Sequence, residues 1–446
     1  MRRTRIVNAA LALLLFAGCK DFVSDQTMGP QAPPPTPPTP SGGVMFSNYI
    51  ALGTSISAGI QSGGINDSTQ KQAFPYLLAR AMGTTVGVNW TYPSFTMPGC
   101  PPPYTNPLLG DTGRVHPAGY PVSTGTSCYL LNPVYIRPFT NNLGVPSIRA
   151  AQVLNYQDLT YPGTDTLHLL QFITENRSPL DELVAARPTF VTLEIGANDI
   201  LGAATHGDAS LLTPFATLQA QFTKIADSIT QALTGSAKGV AVANVPNVTV
   251  IPHFSPGVIL YCLHNGGAAC PAAAGLPPAT LPYSLATFTV NANCAPSAAG
   301  GVGDSMLVAF PATAQITGAL AAGAAASLDC SSATGAKVNL GAGFVVAGAV
   351  LTKPTVIAIA TEVVQVDSFI HLQAIARGWA YVDLNGLLAA NAALIPKFPN
   401  LSTPANLFGA LFSLDGIHPS AAGHKAIADA FVAAINAKYS TTLTPP

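Results

Sequence analysis

Charged side chains are scarce in this 446-residue chain, at 9% of residues, and nearly balanced, with 19 Lys and Arg against 20 Asp and Glu. Without a basic patch to neutralise phosphates, nucleic acid is excluded as a partner. Neither Cys-x-x-Cys nor His-x-x-x-His spacing occurs, so the usual frameworks for zinc are missing and no metal is expected. Internal repeats are not evident. Apolar runs such as Met306 to Phe310 and Gly343 to Leu351 stop well short of the length that spans a bilayer. What is abundant is apolar side chain, 48% of residues, with a mean hydropathy of +0.37. A chain of this length and composition can bury a large core.

The N-terminus carries the clearest addressing signal. Arg2, Arg3 and Arg5 precede the apolar stretch Ala9 to Ala17, which ends in small residues before Cys19. That pattern reads as a secretory signal and not as a membrane span. Phe16-Ala17-Gly18-Cys19 resembles a bacterial lipobox, which implies a signal peptide over residues 1–18 and a lipid anchor on Cys19, so that the membrane is a partner through that anchor. Lys20 just after the cysteine implies the outer membrane by the same resemblance, and periplasmic and outward-facing orientations stay open. Proline is dense from Gly29 to Gly43, so residues 19–45 read as an extended tether. Six further cysteines in an exported chain point to disulfides. Cys100 and Cys128 flank one Pro/Gly-rich stretch and are expected to pair, while Cys262, Cys270, Cys294 and Cys330 lie in a second loop-rich region.

Apolar strand candidates fall near residues 47–53, 140–145, 189–195, 238–245 and 379–384. Helical patterns over Phe74 to Met82, Leu211 to Leu233, Thr361 to Gly378 and Ala421 to Lys438 lie between or after them. Strands separated by helices imply right-handed crossovers and a parallel sheet covered on both faces, a three-layer α/β/α sandwich. Residues 46–440 read as a single domain with insertions near 96–135 and 255–350. The second insertion is expected either to wall the substrate cleft with apolar surface or to pack as an accessory layer.

Three short stretches carry the chemistry. Gly53-Thr54-Ser55 follows an apolar strand and supplies a hydroxyl; Gly196-Ala197-Asn198-Asp199 follows another and supplies an amide; Asp415-Gly416-Ile417-His418-Pro419 supplies a carboxylate and an imidazole on one loop. A hydroxyl becomes a nucleophile when an imidazole takes its proton, and a carboxylate fixes the imidazole's tautomer. Donors aimed at the developing oxyanion complete the set. Such acyl transfer requires no cofactor.

In this order the stretches resemble the blocks of the SGNH/GDSL esterase and lipase superfamily, which implies a flavodoxin-like fold and a Ser55, His418 and Asp415 triad. Gly53, Gly196 and Asp199 then support the motifs. The chain departs from the pattern at Thr54, where the family usually has Asp. By the same resemblance the oxyanion donors are the backbone N–H of Ser55, the Asn198 amide and a second-block N–H. Ser147 stands where that block's glycine is expected, with Gly144 as the alternative. His424 is expected to support the loop or face solvent. The implied activity is hydrolysis of lipid or other acyl esters at the cell envelope. Carbohydrate O-deacetylation or O-acyl transfer on glycans, and non-catalytic surface binding, are the competing readings.

Overall fold

Period-two burial builds the centre of the molecule. The computed structural model describes residues 39–116, 118, 121–129, 140–155, 169–174, 177–265 and 285–446. The expected signal peptide, Cys19 and the first part of the expected tether lie outside these residues, as do Cys270 and stretches of both insertions. Five strands, β1 (Tyr49–Gly53), β2 (Asn142–Gly144), β3 (Phe190–Glu194), β4 (Gly239–Ala243) and β5 (Ala380–Val382), form one sheet in the order β5-β4-β3-β1-β2. Every pairing is parallel. Each strand falls inside its expected apolar run. Parallel strands bury both faces, so continuous apolar runs are what the geometry requires.

The two faces draw on alternate residues. Ile50, Leu52, Val191, Leu193, Val240 and Val242 face one core; Tyr49, Ala51, Phe190, Ala241, Ala243 and Val382 face the other. The helices that matter here are α1 (Ser55–Ala58), α2 (Phe74–Ala81), α3 (Pro179–Ala186), α4 (Ala197–His206), α5 (Phe215–Ala232), α6 (Lys353–Arg377), α7 (Leu384–Ala390) and α8 (Ala421–Tyr439). Leu183 of α3, Phe222 of α5 and Ile359 and Val363 of α6 cover the first face. On the second face, Phe74 of α2 stacks on Phe431 of α8 with ring centroids 4.9 Å apart. A buried ring of this size contributes about 1.5–3 kcal/mol. The result is the α/β/α sandwich of the sequence reading.

Helix ends differ from expectation where local capping wins. Helix α5 starts at Phe215, because Asp208 accepts the Ser210 N–H at 2.9 Å and holds Ala209–Leu211 as a separate turn. Helix α6 begins eight residues before the expected Thr361, with Pro354 in its first turn, where proline is tolerated. Its outward face also carries Ile357, Val364, Leu372 and Ile375, so the apolar period that marks a helix start is blurred.

Both expected kinds of staple are present. Cys100 pairs with Cys128 and Cys294 with Cys330, and Cys262 is also disulfide-bonded. Beyond its disulfides, the second insertion holds a four-stranded sheet, a three-stranded antiparallel sheet and a core of its own around Met306, Val308 and Ile316. Most of these strands are three to five residues long, which is too short for alternation to show in an Ala- and Gly-rich stretch.

The connectivity prepares a site. From β1 the chain moves to β2 at one edge, then crosses back to β3 on the other side of β1. Residues just after β1 and β3 therefore flank the point where the winding reverses, at the carboxyl ends of the strands. Open α/β sheets bind their ligands there.

Candidate active site

Ser55 is the first residue of α1, directly after β1, and is 8% exposed. Its Oγ lies 2.8 Å from His418 Nε2, and His418 Nδ1 lies 2.9 Å from Asp415 Oδ2. Asp415 can only accept from Nδ1, so the imidazole carries its proton there and presents Nε2 as the acceptor for the serine hydroxyl. Asp415 also accepts the backbone N–H groups of Ile417 and His418 at 2.8 Å each and of Gly63 at 2.6 Å. Burial alone would push this carboxyl up. The His418 charge and the donated N–H groups together outweigh it and hold the carboxyl well below the usual carboxylate range.

The turn beneath Ser55 is held by a residue that the motifs do not name. Glu194, the last residue of β3, is 3% exposed and accepts from the Thr54 N–H at 3.0 Å, the Thr54 hydroxyl at 2.8 and 2.9 Å and the Ser57 hydroxyl at 2.9 Å. The carboxylate that the family usually carries after the first glycine here comes from the neighbouring strand, and Thr54 donates to it. Burial pushes the Glu194 carboxyl up against these donors. Gly53 has to be glycine, since a Cβ there would collide with the Ser57 Oγ and press on Glu194 Oε2. The sequence signal was a carboxylate inside an otherwise apolar strand.

Asn198 and the second-block turn are joined. Asn198 donates one amide hydrogen to Ile148 O at 2.9 Å, Arg149 Nε donates to Asn198 O at 3.1 Å, and Val145 N–H donates to Gly53 O at 3.0 Å. Ser147 lies inside this pinned turn, exposed, at φ +62°. That is the left-handed region that favours glycine. Gly144 fits the donor role poorly, because its N–H is bonded to Asn142 Oδ1 at 3.0 Å. Asp199, fully buried, accepts from Ala150 N–H at 3.1 Å and the Thr213 hydroxyl at 2.8 Å, so its part is to fasten the two loops together. Gly196 sits at φ +115°, and a Cβ there would meet Val245 at 2.8 Å.

Beside Ser55 and His418 opens a pocket of about 80 Å³ with an almost wholly apolar lining, including Leu201, Val248, Ile251, Leu387 and Ile417. Asn198 is also among its lining residues. Much of its wall comes from the loop after β4 and from α7; among the described residues, none of 255–350 lines it, so this pocket lends no support to the first of the two readings of the second insertion. Helix α7 is set by Asn244, whose Oδ1 accepts the Leu384 N–H at 2.7 Å and whose amide donates to Asp383 at 2.9 Å.

Two further histidines sit close to the loop. His253, 6% exposed, donates its backbone N–H to Gly416 O at 3.0 Å and its Nδ1–H to Asp415 O at 2.8 Å, so it grips the loop from behind. His424 does not face solvent; it is fully buried in α8, and neither ring nitrogen has a hydrogen-bond partner among the described residues. Burial, aided by the His418 charge, pushes it down from 6.5 to about 3. The unfolded chain therefore takes up a proton near pH 6.5 that the folded protein refuses until about pH 3. This leaves stability whole above 6.5 and removes about 1.4 kcal/mol for each pH unit below it. Between pH 7 and pH 4.5 His424 alone is expected to cost roughly 3 kcal/mol. Urea unfolding of wild type and His424→Phe at both pH values checks this. The variant should lose that much less, and equal losses would reject it.

The geometry is an acid, a base and a hydroxyl in one hydrogen-bonded line, at the mouth of an apolar pocket, with amide donors to one side. That arrangement can deliver a serine oxygen to an acyl carbonyl. No curated protein and no solved structure matches the chain. The family model described as GDSL-like lipase/acylhydrolase matches residues 49–275, which is just over half of the chain and includes Ser55 and Asn198 but not the loop of Asp415 and His418. The chain therefore belongs to the GDSL-like lipase/acylhydrolase family.

Proposed function

We propose that the protein is a serine carboxylic-ester hydrolase for esters of short, apolar acyl groups. The observation that carries this reading is the unbroken Asp415, His418 and Ser55 line ending at the small apolar pocket. His418 Nε2 takes the Ser55 proton as Oγ adds to the ester carbonyl. The N–H groups of Ser55 and Ser147 and the second amide hydrogen of Asn198 receive the oxyanion. His418 then protonates the departing alcohol, and water, activated by the same imidazole, releases the acid from Ser55.

Pocket size favours the short-chain form of this reading. A 150 Å³ cavity holds one benzene molecule, and the pocket here is about half that. An acyl chain of about four carbons fills it. The full chain, assayed on p-nitrophenyl esters from acetate to palmitate, is expected to peak near butyrate and to fall at least roughly tenfold by octanoate, since overfilling costs 1–3 kcal/mol. Leu387→Ala should move the optimum to longer chains. A palmitate optimum would refute the short-acyl reading. An acetate-only profile would favour the second reading, O-deacetylation of a glycan, which the same small pocket supports. The N-terminal signal and Cys19 support a further part of the proposal: the enzyme works from the cell envelope, tethered by lipid.

A further inference from the structure

A second opening meets the 412–419 loop from a different direction. The Ser55 pocket touches this loop at Phe412 and from Ile417 to Pro419, whereas a groove of about 610 Å³ touches it at Leu414 and Asp415. Its lining is largely apolar and includes Tyr104, Leu108, Phe310, Ala314 and Leu340. Its volume is in the range that holds a whole small molecule.

Among the lining residues is His253, 6% exposed. Its Nδ1 faces the carbonyl oxygen of Asp415 at 2.8 Å, and a carbonyl can only accept, so the proton is on Nδ1. Nε2 is then a bare lone pair, and it has no hydrogen-bond partner among the described residues. Burial keeps the ring neutral by pushing it down from 6.5, against the pull of Asp415. A ligand must therefore bring a donor to this nitrogen; a carbonyl or ether oxygen brings none. Carboxylates are further disfavoured by the Asp415 anion beside it. Ammonium groups would lose their hydration in the apolar groove, and the Asp415 oxygens that could compensate already accept three backbone N–H groups and the imidazole.

We infer that the groove is a binding site for a neutral, mainly apolar molecule with a hydroxyl group, whose O–H is donated to His253 Nε2. Such a molecule is the alcohol half of an apolar ester, and that identification of its source rests on the hydrolase reading. The binding itself does not.

The test is calorimetric titration of the full chain carrying Ser55→Ala, so that no turnover enters. The probes are 1-octanol, its isomer 1-methoxyheptane, octanoate and octylamine. Octanol is expected to bind at least roughly tenfold more tightly than the other three, the difference between a buried acceptor satisfied and one left bare. Gly318→Trp adds bulk on the groove wall at a position where a Cβ meets nothing within 4 Å, and it should abolish octanol binding. Ala314→Phe, on the same wall, should do the same and covers a failure of the first variant to fold. Leu387→Trp, which narrows the Ser55 pocket, should leave octanol binding in place. The inference is overturned if octanol does not bind, if any of the other probes matches it, if binding survives both groove variants, or if Leu387→Trp removes it.

Discussion

Ser55→Ala is expected to lower kcat on p-nitrophenyl butyrate by roughly 10⁶-fold, and Asp415→Asn by roughly 10⁴-fold, with both proteins folded by circular dichroism. The serine loss is total for the covalent route, since no second hydroxyl stands 2.8 Å from His418 Nε2 among the described residues. The asparagine loss has a specific cause. Asp415 accepts three backbone N–H groups and His418 Nδ1, and an amide offers only one oxygen to these donors. Its NH₂ must then face either a backbone N–H or the imidazole. Turned toward the imidazole it reverses the tautomer, so that Nε2 carries a proton and can no longer accept one from Ser55. Because the Asp415 carboxyl is held far below the usual carboxylate range, it stays ionised through ordinary assay conditions, and its stabilisation is lost only as pH falls below that of a free carboxylate. Ser55→Ala turning over at more than a hundredth of the wild-type rate would refute the nucleophile assignment.

Restoring the residue that the family usually has after the first glycine is expected to harm this protein. Thr54→Asp places a second carboxyl where the threonine hydroxyl now donates to both Glu194 oxygens. Thr54 is 1% exposed and Glu194 3%, and among the described residues no cation bonds to Glu194. Two carboxyls sharing one buried site cannot both ionise, so the variant should lose about 3–5 kcal/mol at pH 7, the cost of an uncompensated buried charge. The sign with pH follows. The shared site takes up a proton as pH falls, so the deficit should shrink toward pH 5. Glu194→Gln in the same chain should recover a large part of it, because the amide can donate to the new aspartate. Urea midpoints of the three proteins at pH 7 and pH 5 provide the check. A Thr54→Asp protein as stable as wild type would mean that Glu194 does not hold the nucleophile turn as described.

Several parts of this architecture were readable in the amino acids because the physics behind them is local. Strands β1, β3 and β4 are fully buried, and a strand buried on both faces is apolar at most of its positions. Asp415 and His418 could be assigned to one loop from their spacing alone. Glu194 could not be assigned, since its partners Thr54 and Ser57 meet it only when β1 and β3 pair. The pocket wall is similar. Val248 and Ile251 sit in one loop and Leu387 in a helix far along the chain, and nothing in an apolar residue announces which apolar neighbours it will face. Ser147 shows a third kind of limit. Its positive φ comes from a turn fastened by Gly53 and Asn198, which are distant in sequence, so the sequence shows only a serine in place of a glycine.

His418 follows Ser55 by 363 residues, and the two halves are clasped by Gly63 on Asp415 and by Ser62 on Ser413. A growing chain thus makes its nucleophile before four of the sheet's five strands and its base after all five. At 5–20 residues per second the interval is roughly 20–70 s. Throughout that time Ser55 has no imidazole to take its proton, and every nascent or truncated product is an unarmed one. The nucleophile meets its base only when the 412–419 loop docks on Ser62 and Gly63, after all five strands of the sheet have been made.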